Sequence, residues 1–272
     1  MDSLYFLTAG VPLRAGKKGY KRGFEIHDEM GLDGLELEFV RGVRISDKSR
    51  EDVKSSGKVI TAHAPFYVNL NAREQDKLEA SVQRIIETAQ TTNELGGYSI
   101  TFHAGFYLGM DKELVYNQIC SQIEIISNEL AKSDNKIWIR PETTGKATQW
   151  GDLEEIINLS KDFPTVLPCV DFSHLHARYN GISNTYNEFS AIFEKIGKEL
   201  GEIALNNFHA HIAGIEYGAK GEKKHLNLEE SDFNYKDLLK AFKAFDVKGV
   251  IVCESPNIED DAKLMKDYYL SL

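Results

Sequence analysis

Apolar and polar positions along this chain alternate between two textures. Short apolar or β-branched runs occur at LYFLTAG, GLELEFV, VITAHAP, YSITFHAG, KIWIRPETT, VLPCVDFSH, NFHAHIAG and GVIVCESP, eight in all. Between them lie longer stretches with helical spacing. Leu78, Val82, Ile85, Ile86 and Ala89 share one face, as do Ile119, Ile123, Ile126 and Leu130. The segment after Tyr186, the one from Tyr235 to Phe245 and the tail from Asp260 to Tyr269 repeat the habit. Strands covered on both faces read as near-continuous apolar runs, and several of these do. Eight strand-then-helix units without a linker or low-complexity break predict an α/β fold: one (β/α)8 TIM barrel over residues 1–272. The structural alternative, a doubly wound open sheet, calls for a Gly-rich phosphate loop after strand one. GVPLRAGKKG has neither the P-loop nor the dinucleotide spacing.

Composition narrows the setting. With 42% hydrophobic and 27% charged residues, the chain can bury a sizeable core. A net charge of −10 argues against loose, whole-surface adhesion to nucleic acid or anionic membrane, but leaves room for a local basic patch. The opening MDSLYFLTAG lacks a basic leader and a cleavage signature, and no apolar stretch is long enough to span a bilayer. Cys120, Cys169 and Cys253 have no metal-type spacing and read as reduced core thiols. These features together predict a cytoplasmic protein with no membrane association and no obligate protein partner.

In such barrels the active site lies at the carboxyl ends of the strands and in the loops that follow. Seven of the eight histidines fall near those ends; His27, on the first helix, is the exception. His63 closes strand three and His103 strand four. Glu142 closes strand five, Asp171 with His174 strand six, His211 strand seven and Glu254 strand eight, while His225 lies in the long loop after strand seven. Imidazole and carboxylate suit zinc, manganese or iron, and no thiolate is on offer. One ion rarely takes more than four protein ligands, so eight candidates predict two or three ions, with a carboxylate such as Glu142 bridging a pair. A lone histidine at a strand end is more often a hydrogen-bonded rim residue. The ring as a whole reverses those odds, because each buried polar group would otherwise need its own partner. His209 shares an inward face with His211 but sits one layer deeper, which predicts support of a ligand rather than ligation. His176 reads as a loop residue without a task.

These residues resemble the endonuclease IV family, trinuclear-zinc apurinic/apyrimidinic endonucleases of DNA base-excision repair. The resemblance spans the barrel. It rests on HAPFYVNL at His63, FHAG at His103, PETT at Glu142, VDFSH at Asp171 and His174, AHIAG at His211 and CESPN at Glu254, one motif per successive strand. It implies one zinc on His63, His103 and Glu142, and a second on Glu142, Asp171, His211 and Glu254. A third would sit on His174, His225 and an aspartate two residues before the second histidine. That position is Lys223, within GEKKHLNLEE. Glu222 bending in, water, or a weak or missing third ion are the ways out, and the dinuclear pair is the firmer expectation. Manganese or iron could replace zinc.

The implied reaction is hydrolysis of the phosphodiester 5′ to an abasic site in double-stranded DNA, leaving a 3′-hydroxyl, with Glu142 also orienting or deprotonating the nucleophile. Lys223 or Lys224 would replace part of a missing ion's charge. Three basic clusters are expected on the rim side: Arg14, Lys17, Lys18, Lys21 and Arg22; Arg41 and Arg44; Lys220, Lys223 and Lys224. Phe66 and Tyr67 match positions whose side chains wedge into the base stack, with Arg41 or Arg44 as companion. The rival reading is a sugar isomerase or epimerase of the related xylose-isomerase-like barrels. There Glu142, Asp171, His211 and Glu254 would surround one ion, leaving His63, His103, His174 and His225 without a purpose. A barrel that binds damaged nucleic acid without catalysis is the third possibility.

Overall fold

A computed structural model describes residues 1–133 and 135–272. Eight parallel strands form one curled sheet: β1 (Leu4–Ala9), β2 (Gly34–Glu38), β3 (Val59–His63), β4 (Ser99–Phe102), β5 (Trp138–Pro141), β6 (Val170–Asp171), β7 (Phe208–Ile212) and β8 (Gly249–Cys253). They are hydrogen-bonded in the order β5-β4-β3-β2-β1-β8-β7-β6. The two ends meet through parallel bridges from Ile139 to Val166 and from Glu142 to Cys169. There the Cys169 N–H donates to the Pro141 carbonyl at 3.0 Å, and the Thr143 N–H to the Cys169 carbonyl at 3.0 Å. Leu167 and Cys169 face β5, so the N–H that Pro168 lacks would fall on the β7 side, where β6 pairs only at Val170 and Asp171. The (β/α)8 barrel expected from the pattern is the fold.

The helices follow in chain order: α1 (Gly19–Met30), α2 (Asp47–Lys54), α3 (Gln75–Glu94), α4 (Lys112–Leu130), α5 (Leu153–Asp162), α6 (Phe172–Arg178), α7 (Tyr186–Leu200), α8 (Glu202–Leu205), α9 (Tyr235–Ala244) and α10 (Glu259–Ser271). Their apolar faces are the predicted ones: Leu78, Val82, Ile85, Ile86 and Ala89 are buried on α3, and Ile119, Ile123, Ile126 and Leu130 on α4. Each large side chain of this kind contributes roughly 1.5–3 kcal/mol of burial. Reciprocal capping boxes, Asp152 with Glu155 and Thr185 with Glu188, start α5 and α7.

Side chains alternate across the strands, and register decides which share the barrel's interior. Glu36 lies beside Thr61, Glu38 beside His63, His63 beside Thr101 and Thr101 beside Arg140. On the far side, Asp171 lies beside His211 and His211 beside Val252. The interior is apolar where β1 meets β8, around Leu7, Val250 and Val252. Across from them it is lined by buried Thr61, Ser99, Thr101, Arg140, Glu36 and His209. The opposite phase, with Leu35, Leu37, Ile60, Ile100, Ile139, Phe208 and Ile251, packs under the helices.

Two expectations fail here. VDFSH is not a strand end followed by a loop: Asp171 caps α6, so His174 and His176 are helical. His176 is fully buried, 3.2 Å from Asp232 and edge-on to Tyr217, and serves packing. The segment carrying His225 is an antiparallel ribbon, Gly214–Gly218 against Gly221–Leu226, rather than a loop.

Candidate metal centre

The carboxyl ends of the strands bring the predicted donors together. His63 Nε2 lies 3.1 Å and His103 Nε2 3.2 Å from one oxygen of Glu142. The other Glu142 oxygen is 3.2 Å from His174 Nδ1 and 3.4 Å from His211 Nδ1. His211 Nδ1 is also 3.2 Å from Glu254. Donor atoms of His63, His103 and Glu142 lie within 4.8 Å of one another, as do those of Glu142, Asp171, His211 and Glu254, and those of Asp171, His174 and His225. Glu142 is the member common to the first two groups.

Local structure explains the convergence. The Asp171 carboxylate uses one oxygen to cap α6, accepting from the His174 N–H at 2.6 Å. This leaves the second, buried and without a hydrogen-bond partner, aimed into the site. His63 Nδ1 is 2.7 Å from the Ala64 carbonyl. A carbonyl only accepts, so Nδ1 carries the hydrogen, and the Nε2 lone pair of the neutral ring faces a carboxylate oxygen. Two acceptors at hydrogen-bond distance require a proton or a cation between them, and the donor set therefore fits a divalent metal ion.

Without a metal, protons fill that role. Burial alone would push the His63 imidazole down, but hydrogen bonding to Glu142 raises it to about 10. His174 is likewise raised to about 10, against burial, chiefly by the Asp171 and Glu142 carboxylates. Burial lifts Asp171 to about 6 despite His174 beside it.

Glu36 and Cys169 were not among the sequence candidates. Glu36 is fully buried beneath the site, 3.0 Å from His211 Nε2 and 3.2 Å from His209 Nε2, and accepts from Thr61 at 2.8 Å. His209 is anchored by Ser99 at 2.9 Å and pushed down to about 4 by burial, which keeps it neutral. His209 thus sits one layer deeper than His211, as expected, and the residue that links the two is Glu36. The alternation in GLELEFV carried this signal, since an acidic residue on the barrel-facing phase of a buried strand needs a partner. Cys169 is a buried free thiol, as expected of a core cysteine, and its sulfur groups with His209 and His211. Burial pushes that thiol up to about 12, so it remains protonated. Removing the Glu36 charge by Glu36→Gln is expected to weaken metal affinity by roughly 10–100-fold, the usual cost of losing a partner that orients a ligand. Competition against a chelating dye reads this directly.

The basic residues are less free than predicted. Lys21 and Arg22 lie on α1, where Arg22 is paired with Glu25 and Glu29. Arg14 is 2.5 Å from Asp260. Lys223 is 3.2 Å and Lys224 3.5 Å from Glu216, both on the exposed face of the ribbon, so neither supplies charge to the site. Arg41 and Arg44 are exposed after β2 and make no ion pair among the described residues. Phe66 and Tyr67 are exposed, with ring centroids 4.0 Å apart. They line a cleft of about 800 Å³ with Arg73, Arg84 and Phe106.

Residues 24–268 match the family described as xylose isomerase-like TIM barrel. The chain belongs to that family. Within this xylose isomerase-like family, the chain is 44% identical over 99% of its length to an uncharacterized protein of Methanocaldococcus jannaschii, 98% of which is covered. It is 24% identical to a probable endonuclease 4 of Aquifex aeolicus, covering 86% of this chain and 84% of that one. Among solved structures, a D-tagatose 3-epimerase-like protein superposes with a TM-score of 0.75 at 20% identity, covering 97% of both chains. Endonuclease IV from Thermus thermophilus superposes with a TM-score of 0.72 at 18% identity, covering 97% of this chain and 100% of that one. At these identities the structural likenesses establish the xylose isomerase-like fold and no particular activity. No helix among the described residues is long and apolar enough to cross a membrane.

Proposed function

We propose that this protein is a metal-dependent phosphodiesterase that cleaves DNA 5′ to abasic sites and leaves a 3′-hydroxyl, in the manner of endonuclease IV. One observation carries the reading: Glu142 is shared between the His63–His103 group and the Asp171–His211–Glu254 group. A ketose site built on one ion needs the second group and gives no use to the first. The relatives named as probable endonuclease 4 lend support at the level of sequence.

Zinc fits the nitrogen and oxygen donors, and manganese or iron would too. Bound ions would acidify water and neutralise charge on the phosphoryl oxygens. Glu142 holds the two donor groups in register, and the His211 ring is fixed between Glu254 and Glu36. Among the residues proposed to meet DNA, Phe66 and Tyr67 present a tilted, solvent-facing aromatic pair to a distorted duplex, and Arg41, in no ion pair among the described residues, presents a cation to a phosphate. Replacing both aromatic residues by alanine is expected to weaken binding to an abasic duplex by roughly 30-fold or more, at about 1–3 kcal/mol for each of the two stacking contacts. Its zinc content should stay unchanged; fluorescence anisotropy and metal analysis check the two halves.

The deciding experiment is a nicking assay on a duplex carrying one abasic analogue, with and without chelator. Chelator-sensitive cleavage on the 5′ side is the expected result. Metal-dependent ketose epimerisation without nicking would assign the chain to the sugar branch of its family.

A further inference from the structure

We infer that Glu222 completes a third divalent-cation site with His174 and His225, in place of the position that Lys223 occupies. The inference rests on reading the barrel mouth as a metal centre. His174 Nδ1 lies 3.0 Å from the Thr143 carbonyl and His225 Nδ1 3.2 Å from the Glu254 carbonyl. Each Nδ1 therefore carries its ring's hydrogen, and each neutral ring turns a lone pair outward at Nε2. Those two Nε2 atoms face each other at 3.5 Å, and Glu222 Oε2 stands 3.6 Å from that of His174. His174 Nε2 thus faces a second imidazole lone pair on one side and the Glu222 carboxylate on the other, an arrangement that a proton or a cation resolves. Two imidazoles and a carboxylate suit zinc, manganese or iron.

The ribbon explains how Glu222 reaches the site. Ile215 pairs with His225, Glu216 with Lys224 and Tyr217 with Glu222, so the register shifts by one residue and Lys223 is the extra one. In a regular strand, residues two apart share a face. Across a bulge, residues three apart do so. Glu222 and His225 accordingly turn inward while Lys223 and Lys224 are exposed.

Two glycines make room. A Cβ on Gly145, just past PETT, would lie 2.6 Å from the Glu222 Cβ and 2.8 Å from its carboxylate. The Glu222 N–H donates to the Gly145 carbonyl at 3.0 Å. A Cβ on Gly221, whose φ is +90°, would lie 2.2 Å from that carbonyl oxygen. The ribbon can lie against this loop only because both positions lack a side chain.

The test counts zinc bound per chain after reconstitution with zinc alone and removal of excess, and follows visible absorption after cobalt substitution. Glu222→Gln is expected to hold one ion fewer than the wild type and to change the cobalt spectrum. Gly145→Ala should do the same, and Lys223→Ala should match the wild type. Equal ion counts in the wild type and Glu222→Gln, or loss of an ion in Lys223→Ala, overturn the inference. Glu222→Gln is isosteric on a surface ribbon, so it decides the matter even if Gly145→Ala fails to fold. Loss of the ion in a chain that never nicks abasic DNA would leave this site standing and refute the nuclease reading alone.

Discussion

Glu142→Gln is expected to lower turnover on abasic DNA by roughly 10⁴-fold or more while leaving the barrel folded. Each bound ion supplies several kcal/mol of charge stabilisation, and about 5.5 kcal/mol corresponds to that factor. Glu142 is the carboxylate common to both principal donor groups, with one oxygen toward His63 and His103 and the other toward His174 and His211. An amide keeps the shape but presents N–H hydrogens on one side, where two imidazole nitrogens now need an anion. Both groups weaken at once, so zinc content should fall along with turnover. Substitution of a peripheral donor should cost less than this. A Glu142→Gln protein that keeps its zinc and works within tenfold of the wild type would remove the shared carboxylate from the chemistry.

Metal affinity is expected to rise steeply with pH. His63 and His174 are each raised to about 10 in the metal-free fold, against about 6.5 for a free histidine. Both rings are then protonated at neutral pH, and an ion must displace both protons. The His211 ring is raised as well, against burial, by the neighbouring carboxylates, so filling the whole centre should release about three protons and the apparent affinity should rise roughly a thousandfold per pH unit between 7 and 9. Stability shows the converse. A histidine whose folded value is raised contributes stability that is fully present below 6.5 and is lost as pH climbs through about 10. The metal-free protein should therefore melt at lower temperature as the solution is made alkaline, and added zinc should reverse that trend. Calorimetric titration in buffers of different ionisation enthalpy counts the protons. An enthalpy independent of buffer would contradict the scheme.

Much of this architecture is legible in the chain because two periodicities rarely coincide by chance. The run ending at Glu254 is apolar on both phases, as a strand between a core and a ring of helices can be, and those ending at His63 and Glu142 depart from this inwardly at Thr61 and Arg140. The six motifs at the strand ends, with the later His225, already place eight donors around one mouth. What escapes has identifiable causes. Glu36 hides inside an apolar strand, where acidic residues are commonly assigned to the outer face; register with Thr61 shows it inward. Helix α6 escapes because an aspartate at a strand end reads as a donor before it reads as a cap. The ribbon escapes because GEKKHLNLEE is too polar to suggest a strand, and its bulge removes the two-residue alternation that would announce one. Lys223 and Lys224 accordingly read as charges for the site when both are tied to Glu216 on the outer face.

The ribbon from Gly214 to Leu226 carries its donors outside the eight-stranded wall, on a stretch that returns to β7 where it began. The wall alone assembles the donors around Glu142. Exchange of this one hairpin among barrels of the same build would therefore alter how many cations the mouth accommodates without disturbing its scaffold. A lineage could drift between chemistries by trading a surface appendage and leave its core untouched.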